Sequence, residues 1–194
     1  IAACIAGIDE LMLRLSSDGV PCSMHPWLPD CIVTAGSVSS MPGFDEGLFY
    51  VQDPAAKCAI LAAALEPGMN VLDSCAAPGG KSFAAAIAMR NEGSIDSCDL
   101  HDKKIRLISE GARRLGLSCI NAFPHDARAS FDRQYDAIIA DVPCSGYGVI
   151  RKKPEIRYKP LEDSSSMPAI QAAILENLSQ YVKPGGCLLY TSDA

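Results

Sequence analysis

No stretch of this sequence stays apolar long enough to cross a bilayer. The longest runs, such as residues 84–89, fall far short of the roughly 20 residues a spanning helix needs. The chain does not open with a cationic segment followed by an apolar one, the form of a secretory signal. Nine cysteines stand at positions 4, 22, 31, 58, 75, 98, 119, 144 and 187, with no C-x-x-C pair among them. That removes the usual ligand spacing of a zinc site, and no metal is expected. An odd cysteine count without a secretory signal fits reduced thiols in a cytoplasmic protein, most of them acting as small buried apolar groups. Positive charge is also short: 17 Lys and Arg face 23 Asp and Glu, a net −6. Such a balance excludes a protein that grips nucleic acid over its whole surface, so any nucleic-acid contact is expected from local patches or from parts absent from this sequence. No internal repeat or low-complexity tract occurs. What remains is an ordinary globular mix, 48% hydrophobic and 21% charged over 194 residues. That is enough for one domain and part of a second, with a core that needs no disulfides.

From about residue 53, helix and strand signals alternate. Asp53-Pro54 has the form of an N-cap followed by proline at the first helical position. Ile60, Leu61, Ala64 and Leu65 supply an apolar face, and Pro67-Gly68 ends the helix. Val71-Leu72 starts a short buried strand ending at Asp73, followed by a glycine-rich turn and an alanine-rich helix over about 82–90. Residues 94–99 predict the next strand. Asp102 is then expected to cap a helix with Ile105, Ile108, Ala112 and Leu115 inward and Gly116 as its stop. Residues 119–126 predict a third strand. YDAIIAD at 135–141 predicts a fourth, with the continuous apolar run of a strand covered on both faces. Ser166-Met167-Pro168 opens a helix through Ile170, Ile174, Leu178 and Val182, and Pro184-Gly185-Gly186 turns the chain into a fifth strand at 187–191. Alternation at this spacing predicts an α/β fold: a mostly parallel sheet with helices on both faces. Residues 1–52 read differently, with a helix over 8–17 and then short strand-like pieces rich in Pro, Gly and Ser. They are expected to form a small, partial α+β region ahead of the main domain at 53–194.

Asp73, Asp99, Asp126 and Asp141 each fall at the carboxyl end of a predicted strand, the edge where open parallel sheets bind ligands. A row of carboxylates there repels a phosphate-rich cofactor and suits a ligand carrying hydroxyls and positive charge. The competing reading makes each aspartate a helix cap or a strand terminator. Asp99, after the second strand, is the expected ribose partner. Between the first strand and its helix lies Asp73-Ser74-Cys75-Ala76-Ala77-Pro78-Gly79-Gly80-Lys81. Its small residues and paired glycines let a ligand approach the backbone at a helix N-terminus. Gly80-Lys81-Ser82 has the tail of a phosphate-binding P-loop, but Cys75 stands where that motif needs glycine. The dinucleotide fingerprint G-x-G-x-x-G is absent too. A tight turn without a ligand is the plain alternative.

The string D-x-C-A-A-P-G-G-K at 73–81 resembles the cofactor loop of the RNA cytosine-C5 methyltransferases, the family that includes bacterial ribosomal RNA enzymes and the eukaryotic NOL1/NOP2/Sun proteins. Asp141-Val142-Pro143-Cys144-Ser145-Gly146-Tyr147-Gly148 resembles the same family's D-x-P-C-S-G-x-G. P-G-F-D-E-G-L at 42–48, with V-Q-D at 51–53, resembles the segment that precedes its catalytic domain. The match runs from about residue 8 to the end, and within the family it is similar to the bacterial small-subunit ribosomal RNA methyltransferase B group. The resemblance implies a class I methyltransferase (Rossmann-like) fold, S-adenosylmethionine as cofactor, and RNA as partner, ribosomal or else transfer RNA. It places Cys75, Ala76, Ala77, Pro78, Gly79, Gly80 and Lys81 around the methionine and ribose. It places Asp99 on the ribose, Asp126 near the adenine and Asp141 near the methyl-transfer centre, with Cys144, Asp141 and Lys81 as the catalytic candidates.

Cytosine C5 is a poor nucleophile until a thiolate adds at C6. The reaction therefore needs an activated cysteine and a nearby carboxyl group. Cys144 follows the fourth strand by a proline turn, three residues after Asp141; a buried turn cysteine is the plain alternative. The resemblance gives this cysteine the release of product and puts the nucleophile in a T-C motif at the end of the fifth strand. Here that position falls at about Asp193, and a carboxylate cannot replace the thiolate. Three explanations stand: a fragment whose last residues are foreign or misread, a protein that kept cofactor binding without turnover, or Cys144 itself as the nucleophile. The expectation is a chain truncated after its fifth strand.

Arg151, Lys152, Lys153, Arg157 and Lys159 put five basic residues into nine positions after the Cys144 block, flanked by Tyr147 and Tyr158. Phosphate contacts with aromatic stacking suit an RNA strand entering with its target base unstacked; a solvated loop is the alternative. Charge reversal at Arg151 and Lys152 is expected to weaken RNA binding and flatten its salt dependence in a filter-binding titration. Unchanged binding across the salt series would remove the patch from consideration.

Overall fold

A computed structural model describes residues 2–4, 7–34, 36–146, 154–158 and 165–192, and two sheets organise it. In the first, β1 (Ala2–Cys4), β2 (Cys22–Met24), β3 (Cys31–Thr34) and β4 (Phe49–Val51) lie in the order β2-β3-β1-β4. Every pair is antiparallel. Helix α1 (Ile8–Ser17) covers one face, burying Leu11 and Leu15 against Ile32, Met41 and Phe49. Tyr50 and Cys31, of opposite parity on their strands, join the core of the second sheet instead.

The second sheet holds β5 (Asn70–Asp73), β6 (Ser94–Asp99), β7 (Ile120–Pro124), β8 (Tyr135–Asp141) and β9 (Val182–Thr191) in the order β7-β6-β5-β8-β9. All four pairings are parallel. Helices α2 (Pro54–Ala62), α3 (Gly80–Ala88) and α4 (Asp102–Arg114) cover one face, where Ile60, Phe83 and Ile108 meet Val71, Ile95 and Ile139. Helix α5 (Met167–Ser179) covers the other, where Ile174 and Leu178 meet Leu72, Ile138 and Ala140. Neighbouring residues such as Val71 and Leu72 thus serve opposite cores, which is why these strands read as unbroken apolar runs. The strand order reverses between β5 and β8, and the crevice at their carboxyl ends is where such a sheet takes a ligand.

Local chemistry explains most boundaries. Asp53 accepts from the Ala55 N–H at 3.0 Å and Pro54 opens α2, as its sequence predicts. Four expectations need correction. His101, not Asp102, is the N-cap of α4; Asp102 sits in the first turn, where its charge faces the positive end of the helix dipole. Strand β7 stops at Pro124, so Asp126 lies two residues beyond it. Helix α5 ends at Ser179, and Val182 already pairs with Tyr135 in β9. Pro184-Gly185-Gly186 does not precede the fifth strand but forms a wide bulge within it: Val182 faces Tyr135, and Cys187 faces Ala137. Gly185 adopts a φ of +81°, and a side chain on Gly186 would stand 2.7 Å from the Asp136 carbonyl, so glycine is required at both.

The two sheets dock through close backbone approach. The Arg114 guanidinium at the end of α4 donates to the carbonyls of Phe44 and Phe49 and lies 3.9 Å over the Phe44 ring. A Cβ on Gly47 would come within 1.9 Å of the Arg114 carbonyl. Buried Lys57 of α2 reaches back to Asp30 at 2.6 Å.

Beneath the carboxyl edge runs a buried polar chain. Ser97 of β6 donates to Ser82 of α3 at 2.9 Å, and Ser82 donates to Asp73 of β5 at 2.6 Å. None of the three has measurable exposure, and burial pushes the Asp73 carboxyl up to about 7. The unfolded chain ionises Asp73 near the ordinary value of 3.8. The folded state therefore binds the extra proton between these values, and stability falls as pH rises from one to the other. Asp73→Asn keeps an acceptor for Ser82 and has no proton to lose. Urea melts at about pH 5 and about pH 8 are expected to show the variant gaining on wild type as pH rises. A difference independent of pH would refute the assignment.

Candidate functional site

Three strands end on carboxylates at one edge: β5 on Asp73, β6 on Asp99 and β8 on Asp141, with Asp126 just past β7. Their surroundings differ. Asp73 Oδ1 is buried and has no hydrogen-bond partner among the described residues. Asp99 is 7% exposed, accepts from the His101 N–H at 3.0 Å and has Lys104 Nζ at 3.5 Å. Asp126 is clasped by Arg128, whose Nε reaches Oδ1 at 3.0 Å and whose Nη2 reaches Oδ2 at 2.7 Å. The hydrogen bonds from Arg128 hold the Asp126 carboxyl below its ordinary range. Asp141 lies between Lys81 Nζ, at 2.6 Å from Oδ2, and Thr191 Oγ1, at 2.6 Å from Oδ1. Both of its oxygens are thereby oriented by neighbouring elements, α3 and β9.

The turn between β5 and α3 is pinned on both sides. The Ser74 N–H donates to the Ile139 carbonyl of β8 at 3.0 Å, and the Ala76 N–H to the Cys98 carbonyl of β6 at 2.8 Å. Gly79 closes the turn on the Ala76 carbonyl at 2.7 Å with a φ of +111°. A Cβ there would stand 2.5 Å from the Phe83 ring, so conformation and space both demand glycine. Gly79 is also the N-cap of α3, so the following N–H groups begin a helix and lack the usual intrahelical acceptors. Carboxylates along the edge and open backbone donors at one point suit a ligand with hydroxyls, positive charge and a single anionic group. Burial pushes the Cys75 thiol up to about 12, so it stays protonated and is no nucleophile.

Cys144 is half-buried in the turn leaving β8. That turn is anchored where Gln171 of α5 donates to the Pro143 carbonyl at 2.9 Å, while Tyr190 of β9 donates to Gln171 at 3.4 Å. The structure therefore gathers Cys75, Ala76, Ala77, Pro78, Gly79, Gly80 and Lys81 with Asp99 and Asp141 at one edge. Of the basic cluster, Arg157 and Tyr158 lie exposed in the short segment Pro154–Tyr158. Arg151, Lys152, Lys153, Lys159 and Tyr147, and Asp193 as well, lie outside the described residues.

Four site features carry no clear mark in the sequence: Thr191 on Asp141, Arg128 on Asp126, the Ser82–Ser97 chain, and Gln52. Gln52 is 8% exposed and donates to the Gly80 carbonyl at 3.1 Å. Only Arg128 had a local signal, standing two residues from its partner; the others come together through tertiary contact. Among the described residues no group of three His, Cys, Asp or Glu is placed to hold a metal ion, and no helix is long and apolar enough to cross a membrane. A cavity of about 540 Å³ lies beside Phe123, His125, Phe131 and Asp96. The Asp96 carboxylate there is already taken by Asn121, Arg133 and Tyr135.

Comparison with known proteins agrees with this geometry. A family model described as 16S rRNA methyltransferase RsmB/F matches residues 60–193. A Bacillus subtilis (strain 168) protein named probable ribosomal RNA small subunit methyltransferase B is 39% identical over 191 residues, covering 94% of this chain and 42% of that protein. The crystal structure of PH0851 matches with a TM-score of 0.91 at 30% identity, covering 96% of this chain and 44% of that one. The structure of NSun6 from Pyrococcus horikoshii with SFG matches with a TM-score of 0.73 at 26% identity, covering 79% and 40%. The chain spans less than half the length of the curated relatives it matches. Its parallel sheet is a class I, Rossmann-like methyltransferase sheet. The chain belongs to the 16S rRNA methyltransferase RsmB/F family.

Proposed function

We propose that this chain binds S-adenosylmethionine and serves the methylation of cytosine C5 in RNA, with small-subunit ribosomal RNA as the substrate. The observation that carries the reading is the edge itself: carboxylates at the ends of β5, β6 and β8 beside a glycine turn that opens a helix. The cofactor has a ribose diol, an ammonium, a sulfonium and one carboxylate, and no phosphate. Asp99 accepts from the ribose hydroxyls, Asp126 faces the adenine, and Cys75, Ala76, Ala77, Pro78, Gly79, Gly80 and Lys81 surround the methionine portion. Arg128 fixes the orientation of both Asp126 oxygens.

Bound S-adenosylmethionine supplies an electrophilic methyl group. The chain's own residues must activate cytosine and move its protons. Asp141, oriented by Lys81 and Thr191, stands where a carboxyl group can hydrogen-bond the base as a thiolate adds to C6. Cys144 is the thiol on the adjoining turn. Release of product through it, or nucleophilic attack by it, both use that position. Arg157 and Tyr158 present a cation and an exposed ring for the RNA strand.

Asp193, at the position the resemblance gives to the T-C thiol, favours a second reading, a module that binds cofactor and RNA without turnover. Calorimetric titration with S-adenosylmethionine and radiolabelled methyl transfer to small-subunit ribosomal RNA separate the two. Saturable binding is expected, weakened on the order of 10- to 100-fold by Asp99→Ala, the usual effect of losing a hydrogen bond to a charged group. Label recovered as 5-methylcytosine supports the enzyme. Binding without transfer supports the module, and a folded chain that binds no cofactor sinks both.

A further inference from the structure

We propose that Gln52, at the end of the first sheet, is a positioning residue for the amino-acid end of the cofactor; this rests on the cofactor reading above. Gln52 directly follows β4, and its side chain bridges the two sheets. Its Nε2 donates to the Gly80 carbonyl at 3.1 Å, and its Oε1 accepts from Tyr50 Oη at 2.9 Å. A carbonyl only accepts, so the contact with Gly80 fixes which end of the amide faces the loop. Burial pushes the Tyr50 hydroxyl well above its ordinary range, so it remains a donor and locks the other end. Tyr50 is held in turn, 2% exposed, edge-on to Phe83 of α3 at 5.8 Å.

The Gly80 carbonyl belongs to the same planar peptide as the Lys81 N–H, and in a trans peptide the two point in opposite directions. Holding the carbonyl therefore aims the N–H. Lys81 is the second residue of α3 after the Gly79 cap, so its N–H is among those with no intrahelical acceptor. This is the point on an otherwise acidic edge where backbone donors and the positive end of a helix dipole coincide. The one anionic group of S-adenosylmethionine, its carboxylate, is repelled by Asp99 and Asp141 and drawn here. The same peptide carries the Lys81 side chain, whose Nζ orients Asp141. Gln52 thus passes the position of the first sheet to both the carboxylate donors and the Asp141 pair.

The test uses the full chain and two ligands that share adenosine and a neutral thioether. S-adenosylhomocysteine carries the amino-acid end; 5′-methylthioadenosine lacks it. Gln52→Leu removes the bridge. Gln52→Glu keeps the shape and the acceptor for Tyr50 and replaces the donor to Gly80 with a carboxylate oxygen, so it serves if the leucine variant does not fold. Calorimetry is expected to show S-adenosylhomocysteine binding weakened about tenfold in either variant, with 5′-methylthioadenosine binding held within about twofold. In Gln52→Glu, lowering the pH returns a donor hydrogen and is expected to narrow the gap. Equal loss for both ligands, or no loss for either, overturns the positioning role while wild-type binding leaves the cofactor reading intact. A wild-type chain that binds neither ligand overturns the cofactor reading and this proposal with it.

Discussion

Asp73 ends β5 at the place where the chain must turn through 74–79 and begin α3, and it does so with no access to water. Its carboxyl is held by Ser82 from the helix, which is held by Ser97 from the neighbouring strand. Burying such a group is costly unless it is hydrogen-bonded or neutral; here it is bonded on one oxygen and pushed towards neutrality. The turn above it has little freedom left. Ser74 is bonded to β8 and Ala76 to β6, so the first strand, its two neighbours and the first helix meet at fixed positions. Within that frame Gly79 lets the backbone turn left-handed against Phe83, and the helix starts with its donors facing the crevice.

An acidic edge in an acidic chain is an awkward place to bring RNA. The carboxylates do not act alone, however. Lys104 stands by Asp99, Arg128 clasps Asp126, and Lys81 pairs with Asp141. Exposed pairs of this kind add little to stability, but they fix carboxylate oxygens in orientation and shrink the long-range field of the edge. The Lys81–Asp141 pair, with side chains 11% and 18% exposed, is screened least and therefore orients most firmly.

Much of this was legible in the chain. The YDAIIAD run, the Asp-Pro start of α2 and the inward Ile105, Ile108 and Ala112 of α4 rest on local rules of burial and capping, which a sequence states directly. The misread boundaries come where a local signal competes with tertiary pairing. Pro184-Gly185-Gly186 has the composition of a turn, yet β8 is long enough to pair on both sides of it, and the same glycines permit a bulge. Thr191 carried no signal, and Gln52, though part of the V-Q-D string of the resemblance, gave no sign of its contact with Gly80, because their partners lie 50 and 28 residues away. The three aspartates at strand ends were visible because a strand's direction and a sheet's parallel sense place them together without any side-chain detail. Asp126 was read as a strand end but lies past it, since β6 itself stops at Asp99 and the last bond between the two strands runs from the His125 N–H to the Asp99 carbonyl.

Gly47 passes so near the end of α4 that no side chain fits between the two backbones, and Arg114 grips the same loop from its other side. The small sheet and the large one therefore share a seam at Gly47 and Arg114, beside the Gln52–Gly80 and Lys57–Asp30 contacts. For anyone recombining relatives of this protein, that seam sets the unit of exchange. A front segment transplanted without a matching helix end would arrive with its glycine facing the wrong contour, and a helix transplanted without its loop would leave an arginine searching for two carbonyls. The two sheets are separable in sequence and in topology, but they fit only as a pair.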